Sequence, residues 1–264
     1  MSDDWESFPS REIIGLIPAG GMATRIAPLP CSKELYPVGF RKVGLGQEVR
    51  PKVVSHYLLE KMRAAGITKA YIILREGKWD IPEYFRDGRL VDMHLGYLIR
   101  DLPFGPPYTL DQAYPFVQQA VVAFGFPDIL FQSEDAFAVL LTRQRNSGAD
   151  VVLGLFPADR PNRVDMVDVD KNGRVRQIII KPRRTALSYT WSIAVWTPAF
   201  TRFLHAHLTA QKAVAAASPE VSVGQIIQAA IAKELQVEAV QVSNEPYLDI
   251  GTPEDLQKAI TRSP

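Results

Sequence analysis

Short apolar runs without a polar face recur along this chain, each separated from the next by an amphipathic stretch, and that alternation restricts the fold more than any other feature. Residues 13–17, 70–74, 93–99, 121–124 and 150–156 are such runs, and Val54, Tyr57, Leu58, Leu59 and Met62 mark the apolar face of one intervening helix. Strands lacking a polar face are covered on both sides, so the pattern predicts an α/β fold built on a parallel sheet. Ligands of such sheets bind beyond the carboxyl ends of the strands.

Local chemistry sets the expected boundaries. Pro51 should open the first helix and Gly66 end it. A helical turn is expected at residues 82–85, Thr109 as the N-cap of a helix that Pro115 shortens or kinks before Gln119, and Ser133 as the cap of a helix ending at Ser147-Gly148. Residues 39–50 carry three glycines with Arg41, Lys42 and Arg50 and are read as an irregular flap, and residues 103–107 as a loop. From residue 164 the pattern changes: residues 164–169 and 174–180 flank Asp170-Lys171-Asn172-Gly173, a hairpin turn, and 191–196 form another strand, so the sheet becomes mixed. Helices at 198–208 and 224–233, joined by an Ala-rich connection, a strand at 237–242 and a helix at 253–261 opened by Thr252 complete the chain. No repeat or low-complexity linker divides it, so residues 1–264 are expected to form one domain.

Charge and cysteine content remove several function classes. Thirty Lys and Arg against 29 Asp and Glu give a net charge of +1, so no global field favours nucleic acid or an anionic membrane, and any phosphate binding has to be local. Cys31 is the single cysteine, which excludes an intramolecular disulfide and a cysteine-built zinc site. Asp3, Asp4 and Glu6 stand where a signal peptide needs cations, and residues 13–19 are too short to span ~30 Å of hydrocarbon, so a cytoplasmic protein is expected.

The first strand runs into Pro18-Ala19-Gly20-Gly21, and Arg25 and Lys33 follow on an irregular loop. That is a strand feeding an anion site: glycines let backbone N–H groups turn toward a ligand, and the cations supply charge for phosphate. No P-loop lysine follows the glycines and no Gly-x-Gly-x-x-Gly pattern is present.

The run Ala19-Gly20-Gly21-Met22-Ala23-Thr24-Arg25-Ile26, with Pro28 and then Ser32-Lys33-Glu34-Leu35-Tyr36-Pro37-Val38, resembles the signature loop of sugar-1-phosphate nucleotidyltransferases, notably glucose-1-phosphate thymidylyltransferases. The resemblance continues through Gln112-Ala113, Asp128, Lys181-Pro182 and Tyr247-Leu248-Asp249-Ile250-Gly251-Thr252-Pro253, and so covers nearly the whole chain. It implies a Rossmann-like, mostly parallel mixed sheet flanked by helices, with a nucleotide-binding half at about 11–157 and an acceptor-binding half at about 158–264. It also implies that residues 19–24 and Gln112 hold the nucleotide and that Arg25 and Lys33 hold the triphosphate and leaving group. Asp128 and Asp249 would ligate Mg²⁺, and Lys181 would hold the acceptor phosphate. The partners are then a nucleoside triphosphate and a phosphorylated small-molecule acceptor. The resembled short enzymes often assemble, so a homo-oligomer is among the expectations.

Each residue also has a plainer reading. Asp128 after Pro127 suits an ordinary turn, Asp249 suits the turn before the last helix, and Lys181 suits a solvated surface lysine. Hard Mg²⁺ prefers few carboxylates plus substrate phosphates, which two aspartates from distant loops satisfy. Asp168-x-Asp170-x-Asn172-Gly173 imitates a calcium loop, but Ile179 occupies the place of the bidentate glutamate. His56, His94, His205 and His207 lack ligand spacing. Cys31, between two cations, is read either as a thiol with lowered pKa or as a small buried side chain.

The chain departs from the resembled pattern at Ala23, where glycine is usual, and at Ile180, where a glutamate binds acceptor hydroxyls. Thr109 replaces a glycine beside the base, and Trp191-Ser192 a small-residue pair on the sugar wall. These changes fit either an enzyme with a different acceptor or a homologue that binds nucleotide, or nucleotide-sugar, without turnover.

Overall fold

The structure, a computed structural model, describes residues 11–44, 48–99, 105–215 and 220–261. The acidic N-terminal residues, part of the 103–107 loop and part of the Ala-rich connection lie outside the described residues.

Strands β1 (Ile13–Pro18), β2 (Pro37–Val43) and β3 (Glu48–Val53) precede helix α1 (Val54–Ala64). Then follow β4 (Lys69–Leu74), α2 (Asp80–Phe85), β5 (His94–Ile99), α3 (Pro106–Asp111), α4 (Tyr114–Val117), β6 (Val121–Gly125) and β7 (Ile129–Leu130). The remainder comprises α5 (Ala136–Ser147), β8 (Val151–Pro157), β9 (Met166–Val169), β10 (Val175–Ile179), β11 (Tyr189–Trp196), α6 (Pro198–Ala215), α7 (Val223–Ile231), β12 (Val237–Gln241), β13 (Leu248–Asp249) and α8 (Pro253–Thr261).

The central sheet is mixed and mostly parallel. Across it the strands run β5, β4, β1, β6, β11, β8, β12, and β11 alone is antiparallel to its neighbours. The β9–β10 hairpin continues the sheet through Thr190 opposite Met166, and its Asp170 to Gly173 turn closes as the sequence predicts. Each face carries its own core. Phe124, Trp196, Phe200 and Ile226 pack under α3, α4, α6 and α7, while Ile17, Leu58, Phe85 and Phe137 pack under α1, α2 and α5. Burial of each such side chain stabilises the fold by roughly 1.5–3 kcal/mol.

Chain order makes the site. From β1 the chain moves to β4 on one side, then returns to place β6 on the other, so the carboxyl ends of β1 and β6 open a crevice where the strand order reverses. Because β11 is antiparallel, its first residues, Tyr189 to Ser192, arrive at that same end.

Several expected boundaries are corrected. Of the stretch 39–50, residues 45–47 lie outside the described residues, and the rest is not an irregular flap: β2 and β3 pair antiparallel, with Pro51 inside β3 opposite Phe40. In a two-stranded ribbon every strand is an edge, where proline is tolerated. Helix α1 therefore starts at Val54, three residues after Pro51. Thr109 lies inside α3, whose N-cap is Gly105 at φ +101, and the helix stops at Asp111 before a separate turn, α4, that takes Pro115. Asp135, not Ser133, is the N-cap residue of α5, and the Ser133 hydroxyl bonds to the Asp135 carboxylate at 2.9 Å. Helix α6 extends beyond 208 to Ala215, where good helix formers continue the run. Thr252 does cap α8, accepting from the Asp255 N–H at 3.2 Å. Among the described residues no helix is long and apolar enough to cross a membrane.

Candidate active site

The loop after β1 starts later than the apolar run suggests. Ala19 is buried and its N–H donates to Ile73 O at 2.8 Å, so it closes the β1–β4 pairing, and the loop proper begins at Gly20. Left-handed backbone is needed in this loop, but not at the glycines: Ala23 has φ +54, whereas Gly20 and Gly21 do not have positive φ. Alanine there costs on the order of 1 kcal/mol relative to glycine. Met22 projects outward, 69% exposed.

A tight turn at Lys33–Leu35 brings two opposite charges, Lys33 and Glu34, to different partners. Lys33 forms an ion pair with Asp128, on the loop that follows β6. Glu34 points inward and receives both of its bonds from Lys78 Nζ, at 2.7 and 2.8 Å, in a pair that is nearly fully buried. The Ser32 N–H and hydroxyl each donate to Asp80 at 2.7 Å. Lys78 and Asp80 lie beyond the carboxyl end of β4, so the strand beside β1 clamps the loop at two points.

Asp249 reaches the same place through the shortest sheet in the molecule. β13 pairs antiparallel with β7, setting Asp249 opposite Ile129, and Ile250 N–H donates to Asp128 O at 3.1 Å. The Asp249 carboxylate accepts from Gly251 N–H at 2.8 Å. Any side chain at Gly251 would meet Arg25 Nη2 at 2.6 Å and Asp249 Oδ1 at 2.9 Å, so this glycine makes room for the Arg25 guanidinium beside Asp249.

Charge balance follows from these contacts. Burial alone would lower the Lys33 pKa, but the Asp128 carboxylate more than offsets it, and the ammonium is held charged. Burial pushes the Asp249 carboxyl up and the nearby Asp128 charge adds to it, against Lys33, the Gly251 N–H and Arg25. Two carboxylates that repel in a partly dry crevice suit a divalent cation, and the pair matches the small protein share of a Mg²⁺ site. Among the described residues no group of three or more His, Cys, Asp or Glu is placed to bind a metal. Burial, then Asp80 and Glu34, push the Cys31 thiol up, opposite in direction to the lowered pKa expected from its two neighbouring cations.

The structure thus gathers Arg25, Lys33, Asp128 and Asp249, with loop 20–24 above the end of β1. Gln112 sits apart from these contacts, following α3, with its amide Nε2 donating to Tyr108 O at 2.9 Å. Lys181 is exposed after β10 and adopts φ +40. Its N–H lies against Asp165, which burial pushes up in pKa. Tyr247, within range of the charges of Asp249, Asp165 and Asp159, has its hydroxyl pushed up to about 12, chiefly by burial. Glu34, Lys78, Asp80 and Asp165 were not singled out from sequence. Glu34 lies within the signature run, and a lysine just past the strand beside β1 was the available signal for Lys78.

The sequence matches the nucleotidyl transferase family over residues 14–263. A low-salt glycan biosynthesis nucleotidyltransferase of Haloferax volcanii is 26% identical over 171 residues, 64% of this chain and 44% of that protein, so the match spans under half of that relative's length. Among solved structures, a protein assigned as a glucose-1-phosphate thymidylyltransferase from Bacillus anthracis, in complex with a sucrose, superposes with TM-score 0.79 at 20% identity, covering 94% of each chain. A UDP-glucose pyrophosphorylase complexed with UDP-glucose superposes with TM-score 0.74 at 14% identity, covering 95% of this chain and 97% of that one. At such identities the likeness is one of fold. The family match, in contrast, runs from the first strand to the last helix, and the chain belongs to the nucleotidyl transferase family.

Proposed function

We propose that this protein is a Mg²⁺-dependent enzyme that transfers a nucleotidyl group from a nucleoside triphosphate to a sugar 1-phosphate or a similar phosphate, releasing pyrophosphate. The observation that carries the reading is the convergence of Arg25, Lys33, Asp128 and Asp249 at the strand-order reversal, from four points of the chain. In this reaction an acceptor phosphate oxygen attacks the α-phosphorus and pyrophosphate leaves opposite, so two anions must approach each other and a third depart. Positioning and charge neutralisation dominate such a step. Bound Mg²⁺ would neutralise phosphate charge and help orient the attacking and leaving oxygens.

The chain's own residues do the rest. Loop 20–24 turns its backbone toward the triphosphate, Arg25 and Lys33 hold its charge, and Asp128 and Asp249 would hold the metal. Lys33 has to exchange its Asp128 partner for phosphate as substrate enters. Gln112 reads the base through its amide, and Lys181 holds the acceptor phosphate. The two-half organisation, with nucleotide before about residue 157 and acceptor after it, is part of the same proposal.

A pyrophosphate-release assay over a panel of triphosphates and sugar 1-phosphates tests it. Release with at least one pair, abolished by chelation and restored by Mg²⁺, is the expected result. Nucleotide binding without release from any pair rejects transfer and leaves a nucleotide-binding protein.

A further inference from the structure

Asp165, on the segment between β8 and β9, turns its carboxylate toward the start of α7. Its Oδ2 accepts from Ser222 Oγ at 3.3 Å, and the Lys181 N–H lies against the same group. Oδ1 is buried and has no hydrogen-bond partner. Support of a helix start requires one carboxylate oxygen; the second, enclosed without a donor, lowers the stability of the free protein.

The surroundings are shaped to keep the carboxylate in place. Gly224, early in α7, is a poor helix residue, yet any side chain there would collide with Asp165 Oδ2 and meet Ile180 Cδ1 at 3.2 Å. Lys181 holds a left-handed backbone, φ +40, unusual for a residue with a side chain. Thr190 Oγ1 donates to Asp165 O at 2.9 Å, fixing the main chain from β11. The next two residues of β11 also bear buried polar atoms without partners, Trp191 Nε1 and Ser192 Oγ.

Ile180 stands where the resembled enzymes carry the glutamate that binds acceptor hydroxyls, and its side chain and the Asp165 carboxylate flank the same point of Gly224. Asp165 brings a carboxylate to this point from the segment leading into β9. Resting on the nucleotidyl-transfer reading, we propose that Asp165 Oδ1 determines acceptor specificity by receiving a hydrogen-bond donor, hydroxyl or ammonium, from the non-phosphate part of the phosphorylated acceptor.

The test titrates glucose 1-phosphate and glucosamine 1-phosphate onto the unsubstituted protein, Asp165→Asn and Asp165→Ala, with and without α,β-methylene analogues of thymidine and uridine triphosphate. Melting temperatures of the free proteins are measured alongside. Asp165→Ala is expected to weaken at least one sugar phosphate by about tenfold or more while leaving analogue affinity within about twofold. Asp165→Asn keeps an acceptor for Ser222 Oγ while removing the unpaired charge, so its melting temperature should not fall. The Asn variant separates the two donors: its carbonyl still accepts from a hydroxyl, so glucose 1-phosphate binding is retained, whereas an ammonium loses its counter-charge and glucosamine 1-phosphate is selectively lost. Equal affinities in all three proteins, no binding of either sugar phosphate to the unsubstituted protein, parallel loss of sugar phosphate and analogue, or a lowered melting temperature in both variants overturns the proposal. Pyrophosphate release is read separately. Selective loss of sugar phosphate from Asp165→Ala without any release from the unsubstituted protein would keep the Asp165 assignment and reject transfer.

Discussion

The loop cluster beyond β1, β4 and β6 and the wall at the start of β11 occupy the same end of one sheet, yet they balance their polar groups in opposite ways. In the first, Lys33 answers Asp128, Lys78 answers Glu34, and Asp80 takes both donors of Ser32. In the second, Asp165 Oδ1, Trp191 Nε1 and Ser192 Oγ are buried without partners. A triphosphate is the same highly charged object for every base, so its cations can be set in advance inside a self-satisfied network. An acceptor distinguished by the placing of its own hydroxyls or amine is recognised better by groups that only it completes.

The sharpest way to break this contrast is to open the closed network. Lys78→Ala leaves Glu34 charged and buried, and unfolding in urea should show a loss of about 3–5 kcal/mol, most of it regained when Glu34→Leu and Lys78→Met are combined. A loss indistinguishable from a surface substitution would mean that the pair does not anchor the loop. Next in size, Lys33→Ala and Asp128→Ala should each reduce kcat by about 10²–10³-fold with near-native circular dichroism; unchanged turnover would remove both from the chemistry. Ala23→Gly should relieve the left-handed backbone and stabilise the protein by about 1 kcal/mol, measured by the same urea titration.

The smallest effect concerns the open side. Burial raises the folded-state pKa of Asp165 above the ordinary value near about 3.9, so its charge destabilises the native state at neutral pH and ceases to do so once both states are protonated. The stability advantage of Asp165→Asn should therefore be present at pH 7 and fade as pH falls through the raised pKa toward the ordinary aspartate range. An advantage that grows on acidification would reverse the assignment of that side as unsatisfied.

Much of this was legible in the sequence, for a reason visible in the fold. The central strands are apolar on both faces because both cores cover them, so runs such as residues 121–124 and 150–156 carried their own boundaries. Ala23 was readable as a departure from the glycine usual in the resembled family, and its φ of +54 gives that departure a backbone cost. The β2–β3 hairpin was not readable: it is a two-stranded ribbon, much of it solvent-facing, with Phe40 71% and Val49 57% exposed, so no inside-outside alternation marks it. Thr109 misled because threonine suits a cap, whereas Gly105 supplied the backbone turn and the paired prolines began the helix. Glu34 and Lys78 meet only because β4 lies beside β1, which strand order decides and local pattern does not. Asp165 was hidden for a similar reason: its neighbours come from the residues just after β10, from β11 and from the start of α7.

The two-residue pairing of β7 with β13 also governs when the site can exist during synthesis. The first strand, the loop and Lys33 precede Asp128 in synthesis, and Asp249 follows only after β12 has been made. A growing chain can thus hold most of the strands of its parallel sheet while the proposed active site is still half assembled. The two carboxylates of the proposed metal site therefore meet only once two distant parts of the chain have both been made and paired.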